Sequence, residues 1–413
     1  MVYENHIANK ETIMFQTYFN LRTEIGFVLA IVGVQFSAIL REFIPSVNLT
    51  NAVMALSILL VIDLNNFSRL RFPSISCSMG LLILMQLYML FVTYACGVQR
   101  YFFNQGYVIA FILALATIEP YKIFRHFEKI VFWVTMVIAI VIVYQGTFGF
   151  TVMSLQSEAF YRGGYATLEQ GGDKITLGRA LGLGIISALY YEGKNENILR
   201  ILLIMLAFAG LLLFNTRAAC FMGGIFIMIK TFYYDNRNVN QGHYKKAFAI
   251  FLGIIVAVLF GKYFLIMGES IVNAIETLFV GHTSNGVDPS TINRFYTISK
   301  VLQSFENANL LELIFGQGYV FYVDIPLLQA FHDFGLIGGC LYFYLLVILP
   351  ILFIVMWKDE KKQIHILQLF GLQYVIDQIY CAEPYQFYHF MPLILLCFYE
   401  RNQQKPILGV KRL

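Results

Sequence analysis

An all-α membrane protein crossing the bilayer about twelve times is the fold class this sequence predicts, and three observations predict it. Hydrophobic residues make up 58% of the 413 and charged residues 13%, with a mean hydropathy of +0.67, far outside the range of soluble chains. Apolar runs able to cross ~30 Å of hydrocarbon, with shorter ones where protein can cover them, recur along the whole length. Basic residues gather in alternate connecting segments. No Pro-, Gly- or Ser-rich linker interrupts the pattern, so residues 1–413 read as a single integral membrane domain.

The spans follow from the apolar runs and the basic residues between them. The first 24 residues are polar and lack an apolar core followed by a small-residue cleavage site, so the first span, 25–41, is expected to be an anchor and not a cleaved signal. Spans at 48–63 and 75–96 flank Arg69 and Arg71; those at 103–118 and 128–145 flank Lys122 and Arg125. Spans at 175–191 and 198–214 flank Lys194, and those at 217–231 and 247–266 flank Arg237, Lys245 and Lys246. A long span at 325–356, with room to bend, meets 364–380 across Lys358, Lys361 and Lys362, and 386–399 ends before Arg401. With both termini inside, twenty of the 29 basic residues fall on the inner side, as the positive-inside rule requires. The net charge of +4 thus reflects topology and not nucleic-acid binding. Two outward loops are large, about 146–174 and about 267–324. No repeat of fixed period appears, nor a matched pair of broken helices.

Basic residues on the outer side work against topology and need another reason to be there. Arg217 follows Asn215 and Thr216, which are good helix caps, and the helix it opens runs inward. Free N–H groups, the positive dipole end and a guanidinium then share one anion site at headgroup depth; the alternative is an arginine that snorkels to lipid phosphate. DPSTINRFYTISKVLQSF, 288–305, is an amphipathic helix lying on the membrane, with a capping signal at Asp288 to Ser290. At ~100° per residue Phe295, Ile298, Val301, Leu302 and Phe305 fall in an arc of roughly 120° that includes Arg294, whereas Lys300 falls on the polar face. Arg294 on the apolar face calls for an anionic partner, a carboxylate or a lipid phosphate.

FYRGGYATLEQGGDKITLGRALGLG, 160–184, sets Arg162 among glycines that let backbone approach a ligand, and Arg179 one turn inside the sixth span. Arg179 has two readings, substrate contact or intramembrane ion pair, and Gly178 and Gly182 form a small-xxx-small packing pair. In LIFGQGYVFYVDIPLLQAFHDFGLIGG, 313–339, Asp324 precedes Ile325 and Pro326 as the N-cap of a helix entering the membrane, where its carboxylate could also take a proton from a sugar hydroxyl. His332 and Asp333 lie two turns deeper, either as a functional pair or with His332 as a satisfied core histidine. There is no D-x-D, no HExxH and no Cys/His ligand spacing, so no metal or other cofactor is indicated. The six cysteines read as buried free thiols, with a Cys96–Cys381 bridge as the alternative.

This set of residues resembles the O-antigen polymerase and ligase family of bacterial inner-membrane glycan-assembly enzymes. The resemblance rests on Arg217 in an NTRAA setting, Arg294 in the second large loop, and a Gly-x-Gly followed by His332–Asp333 and GLIGG. It implies a GT-C-like, metal-independent glycosyltransferase working on the periplasmic face of the inner membrane. Its donor and acceptor would be undecaprenyl-pyrophosphate-linked glycans, with a chain-length regulator, or co-polymerase, as a further partner. Arg217, Arg294, Arg162 and Arg179 would bind the diphosphate, and Asp324 or His332 would serve as base. Ligases of the family carry a histidine where counting back from Gly335 gives Asp324, which favours a repeat-unit polymerase. The alternatives are the ligase itself, a peptidoglycan-type glycan polymerase and a secondary transporter.

Overall fold

The computed structural model describes residues 21–34, 49–64, 77–96, 102–118, 126–144, 174–192, 196–213, 217–230, 289–318, 325–356, 362–379, 385 and 387–403. Among the described residues there is no strand. In chain order the helices are α1 (21–34, with a π turn at Leu29–Gly33), α2 (Leu49–Val61), α3 (Cys77–Ala95), α4 (Phe102–Ala116), α5 (Phe127–Tyr144), α6 (Lys174–Tyr190) and α7 (Glu196–Leu213). Then come α8 (Arg217–Met228), α9 (Pro289–Asn307), α10 (Leu310–Phe315), α11 (Pro326–Phe343), which runs through a π turn at Tyr344–Ile348 into α12 (Leu349–Met356), α13 (Lys362–Ile379) and α14 (Phe387–Gln403). A helix occurs at every expected span except the ninth, 247–266, which lies outside the described residues, as do loop residues 146–173 and 267–288.

Among the described residues, three stretches are long and apolar enough to cross a membrane: Ser78–Ala95, Phe127–Tyr144 and Pro326–Val355. Five further apolar helices are shorter. The long helices are apolar on two faces. In α3, Leu82, Met85, Met89 and Val92 are buried, while Leu84, Leu87, Phe91 and Tyr94 form an outward stripe at helical spacing. In α5, Val131, Thr135, Ile138 and Ile142 face inward and Trp133, Val137, Ile140 and Tyr144 outward. Stripes of this kind would drive aggregation in water and are the expected surface of a bilayer helix.

At the centre, α6 packs against α5, α7 and α8, and α13 lies across α6 and α11. The α5–α6 contact carries a buried Thr135–Ser187 hydroxyl bond of 2.8 Å. Gly182 lets α13 come close: a Cβ there would meet Gln373 Oε1 at 2.6 Å, in keeping with the packing role of the Gly178/Gly182 pair. At the end of the bundle where α1 and α5 begin and α2 and α4 finish, polar side chains tie off helix termini in trans. Glu24 accepts from the His126 N–H at 2.7 Å, Arg22 donates to the Ile62 carbonyl at 2.8 Å, and Thr117 Oγ1 accepts from the Asp63 N–H at 2.8 Å. Arg200 does the same for the last turn of α6, donating to the Tyr191 carbonyl at 2.6 Å through Nε.

Several expectations change on contact with the structure. The cap position of α11 is held by Ile325, with Pro326 as the first helical residue, so the helix starts one residue later than an Asp324 cap would give; Asp324 itself lies outside the described residues. On α9, Val301 is fully buried while Phe295 and Leu302 are 48% and 53% exposed, so most of the apolar arc is left uncovered by protein. The cause is a narrow junction: α9 meets α11 through Ser304 and Phe305. Lys300 is exposed, as its place on the polar face requires, with Nζ 4.4 Å from the Tyr296 ring centroid. Cys96 and Cys340 are exposed, not buried, since Cys96 lies in the turn just past α3 and Cys340 on an outward face of α11, and Cys96 is a free thiol.

Candidate functional site

The long tenth span is broken where the sequence reads HDFGLIGG. Gly335 adopts φ 63°, ψ −165°, which ends one half-helix at Phe334 and starts another. The last carbonyls of a helix have no partner within it, and here three of them find partners elsewhere. The Gln317 N–H donates to the His332 carbonyl and the Gly318 N–H to the Asp333 carbonyl, both at 3.1 Å. The single hydroxyl proton of Tyr88 of α3 is shared between the Phe334 carbonyl at 3.1 Å and the Phe315 carbonyl at 2.9 Å.

The segment Gly316–Gly318 is therefore a latch seated on the break. Gly316 has φ 101°, and a Cβ there would sit 2.1 Å from the Asp333 carbonyl oxygen; a Cβ on Gly335 would lie 2.5 Å from Gly316 N. Neither position accepts a side chain. Ahead of the latch, α10 is fixed by a capping box in which Asn309 accepts from Glu312 N–H and Glu312 from Asn309 N–H, each at 3.0 Å.

The latch and the break hold one buried polar chain. Asp333, 1% exposed, accepts from Gln329 Nε2 at 2.7 Å and pairs with His332 Nδ1 at 2.9 Å through Oδ1, and accepts from the Tyr385 hydroxyl at 3.0 Å through Oδ2. The other ring nitrogen of His332, Nε2, lies 3.2 Å from Ser304 Oγ on α9. Ser304 Oγ donates to Gln317 Oε1 at 2.5 Å, and Gln317 Nε2 donates back to the Ser304 carbonyl at 3.2 Å. Tyr385 is held at φ 58°, a backbone state that costs an aromatic residue about 1–3 kcal/mol and that its bond to Asp333 and its ring contacts with Phe334 and Tyr342 over-determine. Carboxylate, imidazole and hydroxyl in sequence make an arrangement able to move a proton.

A second polar group sits beside the first. Arg179 of α6, 3% exposed, is 2.7 Å from Asp377 Oδ2 through Nε and donates to the Tyr388 hydroxyl at 2.6 Å. Its carbonyl accepts from Gln373 Nε2 at 2.9 Å. Tyr342 joins the two groups: its ring packs on Tyr385 and its hydroxyl donates to Gln378 Oε1, one residue from Asp377. His389, 2% exposed, packs between the rings of Tyr374 and Tyr388.

Of the residues singled out from the sequence, His332 and Arg179 are thus brought to the same end of the bundle. Arg179 occupies the ion-pair reading, with a carboxylate on its guanidinium. Arg217 is the first residue of α8, as the Asn215–Thr216 cap predicted, and Arg294 lies in α9; for both, the description stops at the backbone. Arg162 and Asp324 lie outside the described residues. Ser304, Gln317, Gln329, Tyr385 and Asp377 escaped the sequence reading. Gln329 was findable, since a partner four residues before Asp333 shares its helix face; Tyr385 and Asp377 were not, because only tertiary contact brings them in. Among the described residues no group of three or more His, Cys, Asp or Glu side chains is placed to hold a metal ion. No family model, no curated protein and no solved structure matches this chain.

Proposed function

We propose that the chain is a membrane glycosyltransferase that polymerises polyprenyl-diphosphate-linked oligosaccharide repeat units on the outer face of the bacterial inner membrane. In this reading the bundle has twelve spans in a GT-C-like arrangement with both termini inside, and the end carrying Arg179, His332 and the start of α8 faces the periplasm. The observation that carries it is the hydrogen bond between Ser304 and His332: it docks the helix bearing Arg294 onto a buried carboxylate–imidazole pair, so a cation-bearing element and a proton acceptor share one end of an apolar bundle.

The chemistry asked of such a site is simple. The hydroxyl of one lipid-linked repeat attacks the anomeric carbon of a lipid-linked chain, and polyprenyl diphosphate leaves with the bonding electrons. Charge developing on the diphosphate needs compensation, and arginine supplies it best because its planar fork binds two oxygens at once and never loses its charge. Fixed cations at a low-dielectric surface lower such a barrier by roughly several kcal/mol. Arg217, at the positive end of α8, and Arg294 fill this role, with Arg162 as a further contact from the first large loop.

The test is complementation of a strain lacking the gene, read as the ladder of lipopolysaccharide chain lengths. Arg217→Ala and Arg294→Ala should each leave at most one repeat unit on lipid A core while the protein stays in the membrane. Lys at either position should rescue poorly, because it restores charge without the fork. Full ladders from both alanine variants would end the proposal, and long chains that stay on the lipid carrier in the deletion strain would indicate a ligase instead.

A further inference from the structure

His332 is wholly buried, roofed on one side by the Phe305 ring at 6.2 Å between centroids, so it has no surface on which to meet a sugar hydroxyl. Its Nε2 faces Ser304, which is only partly buried, and Ser304 stands on a helix whose neighbouring turn is open: Gln303, Glu306 and Asn307 are exposed. We propose that Ser304 is the catalytic residue through which His332 exchanges a proton with the acceptor hydroxyl, and that Gln317 is a positioning residue that parks the Ser304 hydroxyl between turnovers. The proposal rests on the polymerase reading above and names the group in that site that meets the acceptor.

Counting hydrogens gives the roles. Three donors converge on Asp333: Gln329 Nε2, the Tyr385 hydroxyl and His332 Nδ1. An acceptor-only carboxylate fixes the proton of a neutral imidazole on Nδ1 and leaves Nε2 as the acceptor. The orientation of the Gln317 amide is also fixed, because Nε2 bonds the Ser304 carbonyl and a flipped amide would set two oxygens against each other. One Ser304 proton is therefore claimed by two acceptors, Gln317 Oε1 at 2.5 Å and His332 Nε2 at 3.2 Å. At rest the shorter bond holds it, and rotation about the Cβ–Oγ bond turns it to the histidine.

In the reacting arrangement the acceptor hydroxyl donates to Ser304 Oγ while Ser304 donates to His332 Nε2. As the acceptor oxygen bonds to the anomeric carbon and the diphosphate departs with its electron pair, the acceptor proton passes to Ser304 and the Ser304 proton to the imidazole. Asp333 stabilises the imidazolium that forms. Serine ends the cycle unchanged, and the imidazolium returns its proton through the same hydroxyl to the released diphosphate or to water.

The test uses the full-length protein in lipid vesicles, supplied with the single lipid-linked repeat that accumulates in cells lacking the gene. Ser304→Ala should lower kcat by about 100-fold or more with KM little changed, the loss expected when a proton-transfer group is removed. Ser304→Thr, which keeps the hydroxyl, should stay within about tenfold of wild type. His332→Gln should lower kcat to about the level of Ser304→Ala with KM likewise little changed, and the double variant should be no slower than the slower single one. Wild-type kcat in Ser304→Ala, a threonine variant as inactive as the alanine one, or additive losses would each overturn the proposal. Should Ser304→Ala not fold, Ser304→Cys decides in its place: a lowered kcat at unchanged KM supports the relay, and an undiminished kcat rejects it. If no lipid-linked repeat accumulates, or Arg217→Ala and Arg294→Ala are both fully active, the polymerase reading falls and takes the relay with it. An inactive Arg217→Ala beside an active Ser304→Ala sinks the relay alone.

Discussion

Arg179 is a cation claimed by two roles, and its neighbours decide between them. At 3% exposure its charge is affordable only because Asp377, 13% exposed, lies 2.7 Å away. Removing one partner strands the other, so Asp377→Asn should cost about 3–5 kcal/mol of stability, measured by reversible denaturation in mixed micelles. Replacing both partners with apolar residues of similar volume, Arg179→Met with Asp377→Leu, should restore stability to near wild type. If that double variant also makes full-length chains, Arg179 serves architecture alone; if it folds and makes none, the ion pair also holds a group the diphosphate needs. The proposed relay predicts a different signature at Ser304, which is only partly buried, so that its loss should appear in turnover more than in stability.

At the scale of elements, the decisive feature is a helix broken on purpose. An unbroken helix through 326–356 would bury the His332, Asp333 and Phe334 carbonyls in its own ladder and take away the acceptors of the Gln317 and Gly318 N–H groups. Because the latch backbone occupies the space of a side chain at Gly316 and Gly335, Gly316→Ala and Gly335→Ala should each destabilise by roughly 2–5 kcal/mol, from overpacking together with a left-handed backbone. Gly224 of α8, with nothing within 4 Å of where a Cβ would stand, is the control, and Gly224→Ala should leave the melting temperature unchanged or slightly raised. Equal tolerance at all three positions, in thermal unfolding of the purified protein, would show that the latch does not hold the break. The π turn at Tyr344–Ile348 is a second irregularity in the same helix, and such insertions gather near working sites.

At the scale of the molecule, sidedness is the property on which the functional reading depends, and it is open to direct measurement. In a background without native cysteines, Thr167→Cys in the first large loop should react with a membrane-impermeant maleimide in intact spheroplasts, and Thr12→Cys only after permeabilisation. The reverse pattern would place the Arg179–His332 end of the bundle in the cytoplasm, where a periplasmic polymer is not made. The sequence by itself determined the helical class, the position of nearly every described helix and the start of α8 at Arg217, because hydrophobic period, caps and basic clusters are local signals that one chain segment carries alone. It also marked His332 and Arg179, since ionisable residues stand out in apolar runs. It did not reveal that Gly316 locks onto Gly335, that Asp377 neutralises Arg179, or that Ser304 and Tyr385 close the chain on either side of His332 and Asp333. Those pairings join residues apart in the chain, and what selects them is the cost of leaving a buried polar group without a partner away from water, a condition that only the assembled bundle imposes.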